Sequence, residues 1–408
     1  MNHLENPTLC KVRTITAFVT LTKDKQQWKE KINEVSANLG ELMKRVRFLD
    51  YEVQSLRIVT NPFGEYLDTK TQETILEDME ILKAILESPE MPDVRIRFAI
   101  GEATNEKELL YAAEMINKFG DLSNICINIE SDELGVPNYK KSLIAAKTIK
   151  DLSKNTPGGL GNFNFTVNYN CPEYIPYFPA SFHSGKNKDC FVLGFESPDL
   201  LLNAIQTISQ DISRNEFLTK SYQAMQKALQ YHIDQIIPVI KEFESEFNFP
   251  FIGIDSSAAP SKDCTSLVDL FQELGVEYFG AAGSVEISAL LTRVFKSIKN
   301  TPLLGFSGLM LAATEDSGLA RDAINNKYDI RTFLTNSAVC GIGLDTVPIE
   351  GNTSIEKMAS IMQDTGTLAY RLQKPLTVRM FPVPEKEEGD VTEFESDDLC
   401  NCAVFRIP

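Results

Sequence analysis

Hydrophobic residues along this chain follow two alternating periodicities. Residues 13–20 alternate apolar and polar positions, with Ile15 and Val19 on one face, which predicts a β-strand. The next segment repeats its apolar residues every three to four positions from Trp28 to Val46, which predicts an amphipathic helix. Segments of the two kinds follow one another along nearly the whole chain, so the pattern predicts an α/β fold.

The pattern predicts about ten strands, and helices lie between most of them. Strands are predicted at 13–20, 55–60, 94–100, 125–129, 163–169, 190–196, 249–255, 276–280, 303–306, 338–345 and 376–383. Further helices are predicted around 72–87, 105–118, 138–152, 215–247, 264–274, 284–298 and 353–371, and Pro238 predicts a kink or break in the longest of them.

Strands separated by helices of ten or more residues pair in parallel through crossover connections. About ten such strands predict one large α/β domain over residues 1–408, arranged as a barrel or as two lobes with a soft seam near 212–216. No low-complexity linker divides the chain.

Charge narrows the classes of partner. The net charge of −17 over 408 residues and the lack of a basic run argue against nucleic acid and anionic membranes. No stretch approaches the roughly 20 apolar residues of a membrane span, and the first residues show no secretory signal. We therefore expect a cytoplasmic protein that acts on a small molecule, alone or as a homo-oligomer.

Cysteine usage argues against a disulfide scaffold, because eight cysteines are dilute in 408 residues. Only Cys400 and Cys402 lie close together, and no second Cys or His pair completes a zinc site.

The segment 253–270 is the first candidate for chemistry. Asp255 ends a predicted buried strand, Ser256 and Ser257 follow it, and Ser261 or Asp263 is placed to cap the next helix. Ligands of parallel α/β folds bind at the carboxyl ends of strands. Asp255 is therefore a candidate to bind a metal, orient a base or hold a substrate hydroxyl. The alternative is that these side chains satisfy the backbone of a turn.

A second candidate is the turn within 278–291. Small residues lead into Gly283, and Ser284 is predicted to cap the helix that follows. A helix N-terminus after such a turn is suited to an anionic group, although tight packing explains the glycines equally well. The segment lacks the glycine patterns of dinucleotide and triphosphate sites.

His183 and Cys340 are the candidates for proton transfer and nucleophilic attack. His183 lies in a loop rich in aromatic residues and proline, where it is suited to act as a general base or a metal ligand. Cys340 precedes a turn flanked by glycines and is a nucleophile only if a histidine lies nearby. The alternatives are a structural histidine and a small buried hydrophobic residue.

Residues 303–320 combine glycines with two acids. Gly308 belongs to a small-residue turn, and Glu315 and Asp316 follow it. The two acids are predicted either to cap the next helix or to face the same cleft as Asp255.

These segments, in this order, resemble the uncharacterised domain-of-unknown-function family 711 over nearly the whole chain. The segments that carry the resemblance are RTIT (13–16), SFHSG (181–185), DSSAAP (255–260), GVEYFGAAGS (275–284), FSGLML (306–311), EDSG (315–318), CGIGLDTVPI (340–349) and VRMFPV (378–383). The resemblance implies a fold similar to pyruvate formate-lyase, a ten-stranded α/β barrel. It implies importance, without roles, for His183, Asp255, Ser257, Pro260, Gly283, Gly308, Glu315, Cys340 and Asp345.

The tail departs from the family pattern. It reads ESDDLCNCAVFRIP where a glycine-rich stretch is expected, so its contacts are expected to differ. The last glycine, Gly389, lies in the acidic segment 385–398, which is predicted to be a solvated hairpin, so we do not expect glycyl radical chemistry.

Together these features predict an enzyme that acts on a small carboxylate or carbonyl metabolite, by proton abstraction or C–C bond cleavage. His183 would be the base, facing one cavity with Asp255, and Cys340 is the third catalytic candidate. Asp255 and Glu315 would bind a divalent cation, Mg²⁺ or Ca²⁺, or orient the base. The substrate-binding candidates are Ser256, Ser257, Gly283, Ser284 and Gly308. The alternative is a binding or regulatory protein on the same fold.

Overall fold

The computed structural model describes residues 3–88 and 96–408 and shows a mixed α/β fold built on one sheet. The sheet has nine strands in the order β7-β6-β1-β2-β3-β4-β5-β9-β8. Its strands are β1 (Lys11–Val19), β2 (Leu56–Thr60), β3 (Ile96–Glu102), β4 (Asn124–Ile129), β5 (Phe165–Tyr169), β6 (Cys190–Glu196), β7 (Phe251–Ala258), β8 (Gly343–Glu350) and β9 (Leu376–Val383).

Eleven α-helices connect or cover these strands in the described ranges. They are α1 (Gln26–Arg47), α2 (Gln72–Leu86), α3 (Glu106–Phe119), α4 (Tyr139–Asn155), α5 (Pro198–Gln206), α6 (Arg214–Phe247), α7 (Leu267–Glu273), α8 (Ser284–Lys296), α9 (Ser317–Ile324), α10 (Ile330–Ser337) and α11 (Ile355–Arg371). Strands on both sides of residues 212–216 belong to the same sheet.

Strand direction divides the sheet in two, which corrects the prediction of all-parallel pairing. Strands β1 to β5 are parallel to one another, whereas β6 pairs with β1 and β9 pairs with β5 in antiparallel orientation. Strands β6 and β7 are parallel, as are β8 and β9. The carboxyl ends of β1–β5 and of β6–β9 therefore lie at opposite edges of the sheet.

The two faces of the sheet bury different sets of residues. Ala17 and Ile58 pair across β1 and β2 and belong to the main core beneath the helices. Their chain neighbours Phe18 and Val59 point to the other face, because side chains alternate along a strand. The strands are buried on both faces, which explains why several of them are nearly continuous apolar runs.

The loop between β5 and β6 covers this second face instead of lying on the surface. Its residues Ile175, Tyr177 and Ala180 form a buried cluster with Phe306 and three other apolar residues of the second half of the chain. Tyr177 lies against β6 at Gly194, where a Cβ atom would come within 2.7 Å of the tyrosine ring. A glycine is thus required at this point of the strand.

The strand count differs from the predicted ten. Residues 276–280 form turns, and Phe279 is buried in an aromatic cluster with Phe271 and Tyr328. A short apolar run buried between helices has the same pattern as a buried strand. Residues 303–306 form no strand either, although Leu303 makes an isolated parallel bridge to Ile254 of β7.

Several boundaries also differ from the prediction. The strand predicted at 338–345 begins at Gly343, because α10 occupies the preceding segment, and α6 continues through Pro238 without a break. The first two residues of the strand predicted at 94–100 lie outside the described residues, and β3 begins at Ile96. Within the described ranges, no helix has the length and apolar character needed to cross a membrane.

Candidate functional site

Four arginines from four strands of the sheet line one cavity. Arg13, Arg57 and Arg97 come from β1, β2 and β3, and Arg379 comes from β9. The cavity has a volume of about 50 Å³, room for a few water-sized groups at roughly 10–15 Å³ each. It lies at the edge of the sheet where β1–β5 begin. Because the cavity is so small, its ligand would be a small molecule or one end of a larger one.

Arg379 lies between two acids that also line the cavity. Its Nε donates to Asp345 Oδ1 at 2.7 Å, and its Nη2 donates to Glu315 Oε1. Burial lowers the pKa of Arg379, but the two carboxylates raise it by more, so the guanidinium stays charged. Burial raises the pKa of Glu315, and the nearby charge of Asp345 raises it further against the effect of Arg379. Glu315 therefore binds a proton more readily than an exposed glutamate does.

Arg13 and Arg97 are each neutralised by acids that lie outside the cavity wall. Arg13 pairs with Glu196 of β6 at 3.5 Å. Arg97 donates to Asp398 of the C-terminal tail at 2.6 Å. The C-terminal tail thus supplies a partner for a cavity arginine. The segment 385–398, predicted to be a solvated hairpin, is not solvated throughout, since Phe394 is buried.

Arg57 differs from the other three because the described residues offer it no ion pair. Its guanidinium makes two long hydrogen bonds, to Ser55 Oγ at 3.3 Å and to the carbonyl of Pro176 at 3.4 Å. Its central carbon lies 5.0 Å from the centre of the Phe178 ring. Burial lowers the pKa of Arg57, as do the charges of Arg97 and Arg13. The more distant charge of Glu315 acts in the opposite direction and raises this pKa. Arg57 is therefore a buried cation of the cavity that no acid of the described residues contacts.

Asp255, the first predicted site residue, is fully buried and saturated with hydrogen bonds. Its Oδ1 accepts from Ser257 N at 3.0 Å, Ser257 Oγ at 2.6 Å and Ser307 N at 3.0 Å, and its Oδ2 accepts from Phe306 N at 2.7 Å. Ser257 Oγ in turn accepts from Gly308 N at 2.9 Å. Three predicted residues, Asp255, Ser257 and Gly308, therefore meet in one network that joins β7 to residues 305–308.

Ser256 and Cys340 also take part in holding this region together. Ser256 Oγ donates to the carbonyl of Phe295 at 2.7 Å. Cys340 is buried in the main core, next to a crossing of two glycines. A Cβ atom on Gly308 would lie 2.8 Å from Gly341 Cα, so the two chain segments approach more closely than larger residues allow.

His183 is buried at another level of the sheet. Its Nε2 donates to the carbonyl of Val19 at 3.1 Å, its Nδ1 accepts from Gly185 N at 3.3 Å, and its ring lies against Phe18 and Tyr174. Burial lowers the pKa of His183, against the raising effects of the Val19 carbonyl and of the acids Glu173 and Asp189.

The strand register separates His183 from Asp255. Asp255 is level with Gly194 and hence with Thr14 of β1, whereas His183 contacts Val19, five residues further along. Five residues of strand span about 16 Å. The structure does not bring these two side chains together, because the antiparallel pairing of β1 with β6 places Asp255 of β7 near the start of β1, whereas His183 lies at the end of β1.

The two predicted helix caps near these segments are also different in the structure. Gly283 is the N-cap of α8 with φ of 102°. Ser284 Oγ donates to the carbonyl of Ala281 at 2.7 Å and accepts from Gly280 N at 2.9 Å, so it bonds within the turn and does not cap the helix. Ser266, and not Ser261 or Asp263, caps α7.

Glu315 and Asp316 take separate positions, although they are adjacent in sequence. Asp316 caps α9 by accepting from Gly318 N and Leu319 N, which is one of the two positions predicted for these acids. Glu315 lines the cavity together with Pro260 and Asp345, so three positions singled out by the family resemblance meet there.

The predicted cation ligands do not form a suitable donor set. Both oxygens of Asp255 already accept hydrogen bonds, and Glu315 is bound to Arg379. Among residues 3–88 and 96–408, no three His, Cys, Asp or Glu side chains are grouped as a metal site. We therefore derive no step through a metal ion.

The four arginines were not selected from the sequence, although a signal was present. Arg57, Arg97 and Arg379 each interrupt a largely apolar predicted strand, as in SLRIVT around Arg57 and LTVRMFPV around Arg379, whereas Arg13 is the first residue of its predicted strand. Arginine is rarely buried without a partner. A charged residue inside a buried strand therefore marks a position that needs a counter-charge.

Comparison with known proteins places the chain in a family. The family described as "Uncharacterised ACR (DUF711)" matches residues 4–396. The chain belongs to this family. The resemblance inferred from the ordered motifs is thus confirmed.

Individual relatives carry the name "UPF0210 protein". The one from Halothermothrix orenii is 24% identical over 388 residues, which cover 90% of this chain and 82% of the relative. The one from Methanococcus aeolicus is 24% identical over 89% of this chain and 82% of the relative. The one from Oenococcus oeni is 26% identical over 72% of this chain, but the match spans slightly less than two thirds of that relative, 65%.

Among solved structures, the chain is similar to the anaerobic ribonucleotide reductase from Thermotoga maritima with citrate in the active site. The match has a TM-score of 0.37 and 8% identity, and it covers 90% of this chain and 80% of that chain.

Proposed function

We propose that this protein is an enzyme that acts on a small carboxylate or carbonyl metabolite in the arginine-lined cavity, by abstracting a proton next to a carbonyl or cleaving the adjacent C–C bond. The observation that carries the proposal is the position of Glu315, a carboxylate with a raised pKa in a cavity that also contains cations. A base works best when its pKa lies near the working pH, and burial moves Glu315 in that direction.

The geometry around Glu315 suits proton transfer. Its Oε1 is held by Arg379, and in the described part of the chain no hydrogen bond uses Oε2. Asp345 holds the other side of Arg379, so the guanidinium is fixed between two carboxylates. Oε2 would take the proton from the substrate, and the neighbouring guanidinium groups would stabilise the negative charge that develops on the substrate oxygen.

The contacts of the residues predicted from the sequence favour positioning roles for them. Asp255, Ser257 and Gly308 connect β7 to residues 305–308, and Phe306 and Met310 of the same segment line the cavity. In the proposal, this network shapes the cavity wall, while His183 and Cys340 support the fold around it.

We also propose that the sheet closes into a barrel around this cavity. Residues 303–312 would form the closing segment, because Leu303 bridges to Ile254 of β7 and Ala312 bridges to Asp345 of β8, the two edge strands of the sheet. Closure would exclude water from the reacting groups and strengthen their electrostatic interactions. With a net charge of −17, we expect the enzyme to work on small metabolites in the cytosol and not on nucleic acid.

The test is exchange of the C3 protons of pyruvate and 2-oxobutyrate, which lie next to the keto group, in D₂O, followed by proton NMR. We expect the protein to catalyse exchange and Glu315→Gln to lose at least about 100-fold of the rate, the scale of general-base catalysis. The rate of the unmodified protein should fall as the pH is lowered through the pKa of Glu315, at a pH above the ordinary glutamate value of about 4.3.

Glu133→Gln, which removes an exposed carboxylate, is the matched control and should keep the full rate. Equal exchange rates for the unmodified protein and Glu315→Gln would exclude Glu315 as the base. Binding of these acids without any exchange would favour the alternative, a non-catalytic binding protein.

A further inference from the structure

We infer that Arg57 forms the binding site for the carboxylate of a small monoanionic substrate. This inference deepens the proposed function by naming the group of the substrate that is recognised, and it rests on that function only for the statement that the bound molecule reacts. The binding site itself is argued from the contacts of Arg57 alone.

The first argument is the unused hydrogen-bonding capacity of a buried cation. Arg57 is 6% exposed, and a guanidinium has five N–H donors. The described residues accept two of these, both at 3.3 Å or more. A buried charge without a counter-charge is strongly unfavourable, so a protein retains one where a ligand supplies the opposite charge.

The second argument is the arrangement of charge around Arg57. Arg97 stands directly opposite Arg57 in the register of β2 and β3, a like-charge pair that destabilises a sheet. The acids that neutralise Arg97 and Arg13, Asp398 and Glu196, do not line the cavity. Within the cavity, Asp345 and Glu315 are both bound to Arg379. Arg57 is therefore the one arginine of the cavity that no acid of the described residues contacts.

The third argument concerns the class of anion. A planar guanidinium binds a carboxylate through two parallel hydrogen bonds. One unpaired cation matches the single charge of a carboxylate better than the charge of roughly −1.5 to −2 on a phosphate monoester. The volume of about 50 Å³ and the apolar walls of Phe178, Phe306 and Met310 favour a short carbon chain. The site thus fits a 2-oxo acid or a similar short monocarboxylate.

The experiment is calorimetric titration of the full chain with pyruvate, with its neutral amide pyruvamide, and with inorganic phosphate. We expect pyruvate to bind, pyruvamide not to bind, and phosphate to bind more weakly than pyruvate. Arg57→Gln should weaken pyruvate binding about 10- to 100-fold, as expected for hydrogen bonds to a charged group. Arg57→Lys, which keeps the charge but not the planar fork, should give an intermediate loss.

Arg331→Gln, which removes an exposed cation from α10, is the matched control and should bind pyruvate as the unmodified protein does. The comparison of pyruvate with pyruvamide on the unmodified protein needs no variant, so the test stands even if Arg57→Gln does not fold. Equal binding of the acid and its amide, equal binding by folded Arg57→Gln, or tighter binding of phosphate would each overturn the inference.

These outcomes are separable from those of the proposed function. Glu315→Gln should lose proton exchange while it still binds pyruvate. Pyruvate binding that depends on Arg57 without any exchange would refute the catalytic proposal and leave this site in place. Exchange that depends on Glu315 but is the same in Arg57→Gln would refute this site and leave the catalytic proposal in place.

Discussion

Asp255 and Arg57 are two buried charged residues of the same sheet that differ in how fully their hydrogen-bonding groups are satisfied. Asp255 accepts four hydrogen bonds from its own strand and from residues 306–307. Arg57 has two long hydrogen bonds and no ion pair among the described residues. Burial disfavours the charged form of both, raising the pKa of Asp255 and lowering that of Arg57.

The difference separates a charge that holds two segments of the fold together from a charge that we infer binds a ligand. The donors around Asp255 are mainly backbone N–H groups, which are fixed by the chain itself and need a partner when buried. Nothing comparable surrounds Arg57, whose neighbours Arg13 and Arg97 carry the same charge. Removing Asp255 should therefore lower the stability of the fold, whereas removing Arg57 should weaken ligand binding and change the stability little.

The largest effect is expected for Asp255→Ala. The substitution leaves three backbone N–H groups and one hydroxyl without their acceptor, at about 1–3 kcal/mol for each group that stays unsatisfied. We expect the free energy of unfolding to fall by about 3–5 kcal/mol, measured by urea denaturation followed by circular dichroism.

Asp255→Asn is the comparison for this prediction. It keeps one acceptor oxygen for Ser257 and Ser307, and it should lose roughly half as much as the alanine variant. If Asp255→Ala unfolds at the same urea concentration as the unmodified protein yet abolishes activity, Asp255 is catalytic and the comparison with Arg57 fails.

An intermediate, pH-dependent effect is expected for Arg379→Met. Without the guanidinium, Glu315 and Asp345 remain buried with like charges, which we expect to cost about 2–4 kcal/mol at pH 7. The pKa of Glu315 is already raised in the folded protein and should rise further in the variant. A group with a raised folded pKa stabilises the folded state when protonated, and this contribution is lost as the pH rises.

The difference in stability between Arg379→Met and the unmodified protein should therefore shrink as the pH falls from 7 towards 5. Urea denaturation at several pH values measures it, and Arg331→Met controls for the loss of a surface arginine. A difference that stays constant over this pH range would show that the two carboxylates do not depend on Arg379 for their charge.

The smallest change in stability is expected for Arg57→Met in the absence of ligand. The substitution removes an unpaired buried cation and its repulsion from Arg97, so the free energy of unfolding should stay within about 1 kcal/mol or increase. Thermal and urea denaturation measure it. A loss of 3 kcal/mol or more would mean that Arg57 has a structural partner and that its contrast with Asp255 is not real.

The sequence by itself determined the local elements and the family. Alternation and helical periodicity predicted β6 and β9 with their observed bounds and most other elements within a few residues, because these signals depend only on neighbouring positions. The ordered motifs identified the family, and the α/β class followed from the alternation of elements.

Only the tertiary structure decided which charged residues face one another. The antiparallel pairing of β1 with β6 separates His183 from Asp255. The hydrophobic pattern of the sequence does not predict this pairing, because it is the same for parallel and antiparallel strands. The cavity arginines come from four strands separated by up to 366 positions in the chain, from Arg13 to Arg379. Whether a buried charge is neutralised depends on side chains that the strand register brings close. Asp255 could therefore be selected from its sequence motif, whereas Arg57 could be recognised only from its neighbours in the structure.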